Sequence, residues 1–252
     1  MNGPHQHRDG DDAGKTIPES IFADDDGSAN PLLAQALIRY GNGLAPLADV
    51  VDALAYARIL VPVMASGEER HVGAFGLEQD HVASTGVVAV ELPDGRHALP
   101  IFTDVEAMAE WNPTARPIPA EGPRAALAAV QEEWAALVLN PARDTVVVPR
   151  PAVWALAEGR PWRPAVDAHG QVDPQVREAL VAATAVCPEV AAADVVAGTR
   201  AEVAVVLHLR AGLTRPEVDQ VVARVNEAWG ASDVVAERVD SLEVRVRSVG
   251  DA

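Results

Sequence analysis

The stretch "LPDGRHALPIFTDVEAMAEW", residues 92–111, decides the fold. Pro93-Asp94-Gly95 is turn chemistry. It separates "GVVAVEL" (86–92) from "RHALPIF" (96–102), two apolar runs of strand character, so the segment predicts an antiparallel hairpin. Thr103 and Glu106 then have capping-box spacing: Thr caps the third helical amide while Glu reaches back. Phe102 is placed to fold down onto that helix. Pro100 marks a sheet edge or the approach to a bend, and the Trp111 indole packs at the helix end. Every residue here has a folding task, and no catalytic group is left over.

Towards the N-terminus, Asn30-Pro31 is a helix entry and "PLLAQALIRYG" runs as a helix ended by Gly41. "GNGLAP" (41–46) follows a helix and lacks the last glycine of a dinucleotide loop, so it reads as a helix stop. A second helix near 46–57 puts Leu47, Val50, Val51 and Leu54 on one face. "RILVPVMA" (58–65) suits a buried strand. The glycine-rich, charged "SGEERHVGAFGLEQDH" (66–81) reads as a long surface loop and stays a candidate for function. Residues 1–30 are polar and rich in Asp and Gly, and predict a disordered tail. His5 and His7 with Asp9, Asp11 and Asp12 are solvated there, with no fixed geometry to hold a metal.

Towards the C-terminus, helix, strand, strand and helix are expected at about 123–135, "ALVLN", "TVVVP" and "PAVWALAEG". "RPWRPAVDAHGQVDP" (160–174) is rich in Pro and polar residues and carries the domain boundary. Beyond it, Asp173-Pro174 opens a helix to about Val186. "EVAVVLHLR" (202–210) alternates, with Val203, Val205, Leu207 and Leu209 facing one way and Glu202, Ala204, Val206, His208 and Arg210 the other. Thr214 and Glu217 make a second capping box, with Leu213 and Val218 as staple, and Val218, Val221, Val222 and Val225 line the helix. "LEVRVR" (242–247) puts Glu243, Arg245 and Arg247 on one side. The resulting helix–strand–strand–helix–strand unit has a sheet covered on one face and open on the other. The expected class is α+β: two small two-layer α/β domains with mixed or mainly antiparallel sheets, over 31–163 and 173–252, joined by a linker at 164–172.

The 252 residues carry 37 acids against 20 bases, a formal charge of -17, and Lys15 is the only lysine. Such a field repels a phosphate backbone or an anionic bilayer, so neither nucleic acid nor membrane is an expected partner. Cys187 stands alone, which rules out an internal disulfide and suits a reducing cytoplasm. The N-terminus lacks the apolar run of a secretory signal, and no segment is long and apolar enough to span a bilayer. The expectation is a cytoplasmic protein.

Catalytic signatures are missing: there is no G-x-S-x-G elbow, H-E-x-x-H, C-x-x-C or P-loop. Cys187 has Glu189 nearby but no histidine or cation, and reads as a buried, inert thiol. The histidines are scattered, His71 and His81 without ligand spacing and His97 near a turn. No catalytic, metal or cofactor residue is assigned, and no cofactor is expected. The open sheet face holds the most interesting group: His208, Arg210, Arg245 and Arg247 would make a cationic patch suited to carboxylates, moderated by Glu202 and Glu243. An ordinary solvated face with cross-strand ion pairs is the alternative.

At "RILVPVMA", "GVVAVELPDGRHALPIFTDVEAMAEW", "RPIP", "ALVLNP" and "VVVPRPAVWALAEGRPW" the chain resembles the SseB family, the enhanced serine sensitivity proteins. The P-x-F-T-x-x-E-x-x-x-x-W core is its most specific part. The second domain resembles the SseB C-terminal domain in topology. The resemblance implies a two-domain cytosolic bacterial protein and carries over no catalytic residue. A secretion-system translocon protein shares the family name, but this chain has neither its coiled coils nor its apolar spans. The leading expectation is a non-catalytic interaction or regulatory protein that binds a partner through the hairpin unit or the open sheet. A small-ligand module, sensing an amino acid for instance, is the alternative, and an enzyme with an unrecognised site ranks third.

Overall fold

A computed structural model describes residue 22 and residues 25–64, 79–82 and 88–249, with only the backbone given for 79–82. Most of the expected tail, with its histidines, and most of the 66–81 loop, including His71, lie outside the described residues. The end of the tail, 25–30, is instead tied to the fold, since Arg58 donates to Asp25 at 2.6 Å and the Val105 amide to the Gly27 carbonyl at 3.1 Å. The end of that loop, 79–81, belongs to a strand.

The first unit runs α1 (Pro31–Gly41), α2 (Leu47–Leu54), β1 (Arg58–Val63), β2 (Gln79–Val82), β3 (Val88–Glu91), β4 (His97–Ile101), α3 (Val105–Trp111), β5 (Arg116–Glu121), α4 (Gly122–Gln131), β6 (Ala136–Leu139), β7 (Val146–Val148) and α5 (Arg150–Ala157). Asn30 caps α1 by accepting from the amides of Leu32 and Leu33. The helix ends at Gly41 as expected, and the glycine that turns the chain lies just beyond it. Gly43, not Gly41, takes the positive φ, and the amides of Gly43 and Leu44 close back on Tyr40 and Arg39.

The hairpin forms as expected. Gly95 at φ +82° lets Leu92 and Arg96 meet through a 2.8 Å backbone bond across a three-residue loop. Strand order in the sheet is β2-β3-β4-β6-β7, with β4 and β6 parallel and the other neighbours antiparallel. Side-chain alternation splits its residues between two cores. Leu99, Ile101, Leu137, Leu139 and Val148 join the helices α1, α2, α4 and α5, while Val90, Ala98 and Val138 pack with Trp111 on the other side.

Pro100 is not at an edge. It lies in the central strand opposite Val138. The amides of Ala135 and Asn140 donate to the carbonyls of His97 and Ile101, so odd-numbered β4 residues bond to β6. Phe102, facing the other way, exchanges both backbone bonds with Leu60 of β1, at 2.8 and 2.9 Å. The β3 ladder ends at Ala98. Pro100 therefore aims its missing donor at the gap where β4 passes from β3 to β1, the position where no ladder bond is lost.

The β5 strand went unforeseen because Pro117 and Pro119 argue against a strand. It pairs with β1 alone, in a two-stranded ribbon where such prolines are tolerated. Gly122 follows it. A Cβ there would sit 2.0 Å from the Leu54 carbonyl oxygen, so only glycine lets α4 start against the end of α2.

The second unit comprises α6 (Pro174–Ala183), continued by a 3-10 turn to Val186, then β8 (Val190–Ala197), β9 (Val203–Arg210), α7 (Arg215–Gly230), α8 (Asp233–Arg238) and β10 (Leu242–Val249). Its sheet has the order β10-β9-β8, with β9–β10 parallel and β8–β9 antiparallel. Val203, Val205, Leu207 and Leu209 meet Val176, Leu180, Val221, Val225 and Trp229 in one core. The protein is thus α+β with mixed sheets. The connecting segment is anchored at both ends, for Trp162 belongs to the first core while Ala165 and Val172 belong to the second.

Candidate functional site

The outward face of the β8–β9–β10 sheet follows from register. Ala204 lies between Val196 and Glu243, Val206 between Asp194 and Arg245, and His208 between Ala192 and Arg247. Helices cover the opposite face. Among the described residues no helix lies over this one, and Val196 keeps 41% of its surface exposed.

One end of the face is closed by its own polar groups. Glu243, 7% exposed, accepts from the Thr199 amide at 3.1 Å and from Arg200 Nε at 3.2 Å, and it pairs with Arg245. Arg245 also donates to Thr199 Oγ1 at 3.1 Å. The Thr199 amide, against the opposing effect of burial and with help from Arg245 and Arg200, holds the Glu243 carboxyl down to about 2. The turn between β8 and β9 is thereby folded onto β10, and Arg245 is part of that clasp.

The other end is open. His208 Nε2 lies 2.8 Å from Asp194 Oδ2 across the strand pair. Arg210 turns away, its Nε donating to the Pro188 carbonyl at 3.0 Å. Arg247 stands beside His208 and, among the described residues, makes no hydrogen bond or ion pair. The four expected residues therefore do not converge. Only His208 and Arg247 are neighbours with a free cation between them, because Glu243 and the Pro188 carbonyl take up the other two guanidiniums. The outer edges of β8 and β10 pair with no strand among the described residues.

The hairpin tip faces inward. Arg96 forms a two-pronged bond to Asp240 of the second unit at 3.1 and 3.2 Å, and a third to Asp94 at 2.7 Å. The Arg150 side chain donates to the Ala236 carbonyl at 3.2 Å. Behind this seam Glu202 accepts from the amides of Asp240 and Ala165 at 2.8 and 3.3 Å. Burial first, then the Asp240 charge, pushes its carboxyl up despite those two amides.

Sequence reasoning missed a second polar cluster, at the carboxyl ends of the parallel strands β4 and β6. Thr103 does not cap α3. Its amide donates to Asn140 Oδ1 at 3.0 Å, Asn140 Nδ2 returns a bond to its hydroxyl at 3.1 Å, and that hydroxyl donates to Asp104. Asp104 is the cap, accepting from the Ala107 amide at 2.8 Å and from Arg143 at 3.0 Å. Crevices at such strand ends bind ligands in open α/β sheets. Here the groups close on each other and tie the β4 end to the β6 end. The Asn in "ALVLNP" was the signal for this contact.

Cys187 is buried, with Sγ 3.8 Å from the Val221 carbonyl oxygen, and burial pushes the thiol up against the pull of Arg224. Among the described residues no group of three His, Cys, Asp or Glu could hold a metal ion, and no helix is long and apolar enough to cross a membrane. The side chain of His81 lies outside the described set.

Residues 33–155 match the family described as SseB protein N-terminal domain. No curated protein and no solved structure matches the chain. The matched span runs from α1 into α5 and includes the hairpin, the Thr103–Asn140 contact and the glycine against α2. Residues 33–155 thus resemble an SseB N-terminal domain, and the likeness to that family is confined to this unit of the chain.

Proposed function

We propose that the chain is a non-catalytic, cytoplasmic interaction protein that docks a carboxylate-bearing protein segment on the open end of the β8–β9–β10 sheet. The observation that carries this reading is Arg247. Among the described residues it is a guanidinium without a partner, adjacent to His208 and on a strand with a bare edge, on an otherwise strongly acidic chain. Arginine pairs with carboxylates in two-pronged geometry, and an edge strand offers backbone donors and acceptors for strand addition. The seam supports the same reading, since Arg96 and Arg150 are already bound within the chain. On topology the second unit is proposed as an SseB C-terminal-like domain.

Affinity capture from native cytosol, parent against Arg247→Glu, tests the proposal. The variant should keep the parent's thermal midpoint and lose the specific partner by about tenfold or more. Equal capture by both proteins would remove the role assigned to this face. Arg245→Glu is unsuitable, because it would disrupt the Glu243 clasp as well.

A further inference from the structure

A cleft of about 290 Å³, half open to solvent and lined by exposed side chains apart from the half-buried Arg238, lies where the connecting segment crosses the helices of the second unit. It shares no residue with the open sheet face. Its walls carry opposite charge. Arg160 and Arg163 come from the connector, whereas Asp233 and Glu237 lie one turn apart on α8. Gln175, at the start of α6, and Arg238 complete the polar lining.

These groups differ in how far the fold already uses them. Arg238 is fixed, with Nε donating to the Arg163 carbonyl at 3.1 Å and Nη2 to Asp173 at 3.0 Å. Arg160 is held by Glu158 and stands 3.8 Å from Glu237 across the cavity. Among the described residues, the side chains of Arg163, Gln175 and Asp233 have no hydrogen bond or ion pair. A guanidinium, an amide and a carboxylate are thus unpartnered around one cavity.

We propose that this cavity binds a small zwitterion, a molecule carrying one carboxylate and one ammonium group. The carboxylate lies against Arg163 and Gln175, with Arg160 adjacent. The ammonium lies between Asp233 and Glu237. A simple anion meets the acidic wall and a simple cation meets the guanidiniums, so each is opposed by half of the site. Only a dipolar molecule set across the cleft satisfies both walls. A cavity of this volume admits a molecule of amino-acid size. Occupancy ties the connector to α8, because the connector supplies one wall and the helix the other.

Isothermal titration and thermal unfolding of the full chain test this, using glycine, L-valine and L-glutamine as probes. Valinamide removes the carboxylate, and N-acetylvaline removes the ammonium. At least one zwitterion should bind saturably and raise the unfolding midpoint, with the blocked forms of valine weaker than valine by about tenfold or more. Arg163→Ala and Asp233→Ala should each weaken that binding to a similar extent. Neither side chain makes a hydrogen bond or ion pair among the described residues, so Arg163→Ala should keep the parent's ligand-free midpoint, while Asp233→Ala, which removes the acidic residue from the first turn of α8, should lower it only slightly. Three results would each overturn the proposal: no saturable binding of any probe up to about 10 mM, equal binding of valine and a blocked form, or unchanged binding in both variants. Arg247→Glu should leave the titration unaltered, which separates this site from the sheet face.

Discussion

The entries to α3 and α7 carry the same T-x-x-E pattern, Thr103 to Glu106 and Thr214 to Glu217, and the protein uses them differently. At α7 the box is local: the Thr214 amide and hydroxyl both donate to Glu217 Oε2, each at 2.7 Å. Leu213 and Val218 pack onto the second core as a staple. At α3 the threonine is buried and bound to Asn140, which lies 37 residues away, and capping moves one residue on to Asp104. The difference is one of competition. Thr214 is exposed and has only its own helix to satisfy. Thr103 follows the central strand β4, where a buried amide must find a partner, and Asn140, just past the end of the neighbouring β6, supplies it.

Three substitutions sharpen that contrast. Asn140→Ala should have the largest effect: it leaves the buried Thr103 amide unsatisfied and puts alanine at a φ of +48°. Together these should cost about 2–4 kcal/mol in urea unfolding of the first unit. Asn140→Gly would relieve the backbone part only. Asp104→Ala should cost about 1–2 kcal/mol, through the lost cap and the lost Arg143 bond. Thr214→Ala should cost about 0.5–1 kcal/mol. Trp229 is the one tryptophan of the second unit and is buried, so fluorescence from a variant keeping only that tryptophan isolates the transition. A Thr214 effect as large as that of Asn140 would break the distinction between a local and a tertiary cap.

Acid titration extends the comparison to the second unit. The Glu243 carboxyl is depressed from 4.5 to about 2, so its contribution to stability is complete above pH 4.5. That contribution is lost as pH falls from 4.5 towards 2, since the unfolded chain binds the proton first. Glu243→Gln should be less stable at neutral pH and show a shallower decline over that window. Glu202 has the opposite sign: its carboxyl is raised, so its charge opposes folding once pH exceeds its ordinary value. Glu202→Gln should therefore move stability at neutral pH less than Glu243→Gln does.

Two arginines on β10 repeat the lesson. Arg245 and Arg247 have the same alternation, the same face and the same chemistry in "LEVRVR". Arg245 falls beside Glu243 and the folded turn at Thr199, while Arg247 falls beyond them. Within the strand, Glu243 lies two positions from Arg245 and four from Arg247. The turn that completes the clasp on Arg245 is 46 residues away from it in sequence.

The sequence by itself determined the elements: hairpin, helix entries, alternating strands and two apolar cores follow from periodicity and turn residues, which act over a few positions. It also carried the resemblance of its first unit to the SseB N-terminal domain, which the match over residues 33–155 bears out. Only the tertiary structure decided which polar groups are consumed and which remain free. It set Thr103 on Asn140, Arg96 on Asp240 and Arg245 on Thr199, and among the described residues it left Arg247, Arg163 and Asp233 without partners. The physical reason is range. Secondary structure answers to neighbours along the chain, whereas a side-chain bond depends on strand register and unit docking, which bring together residues tens to more than a hundred positions apart.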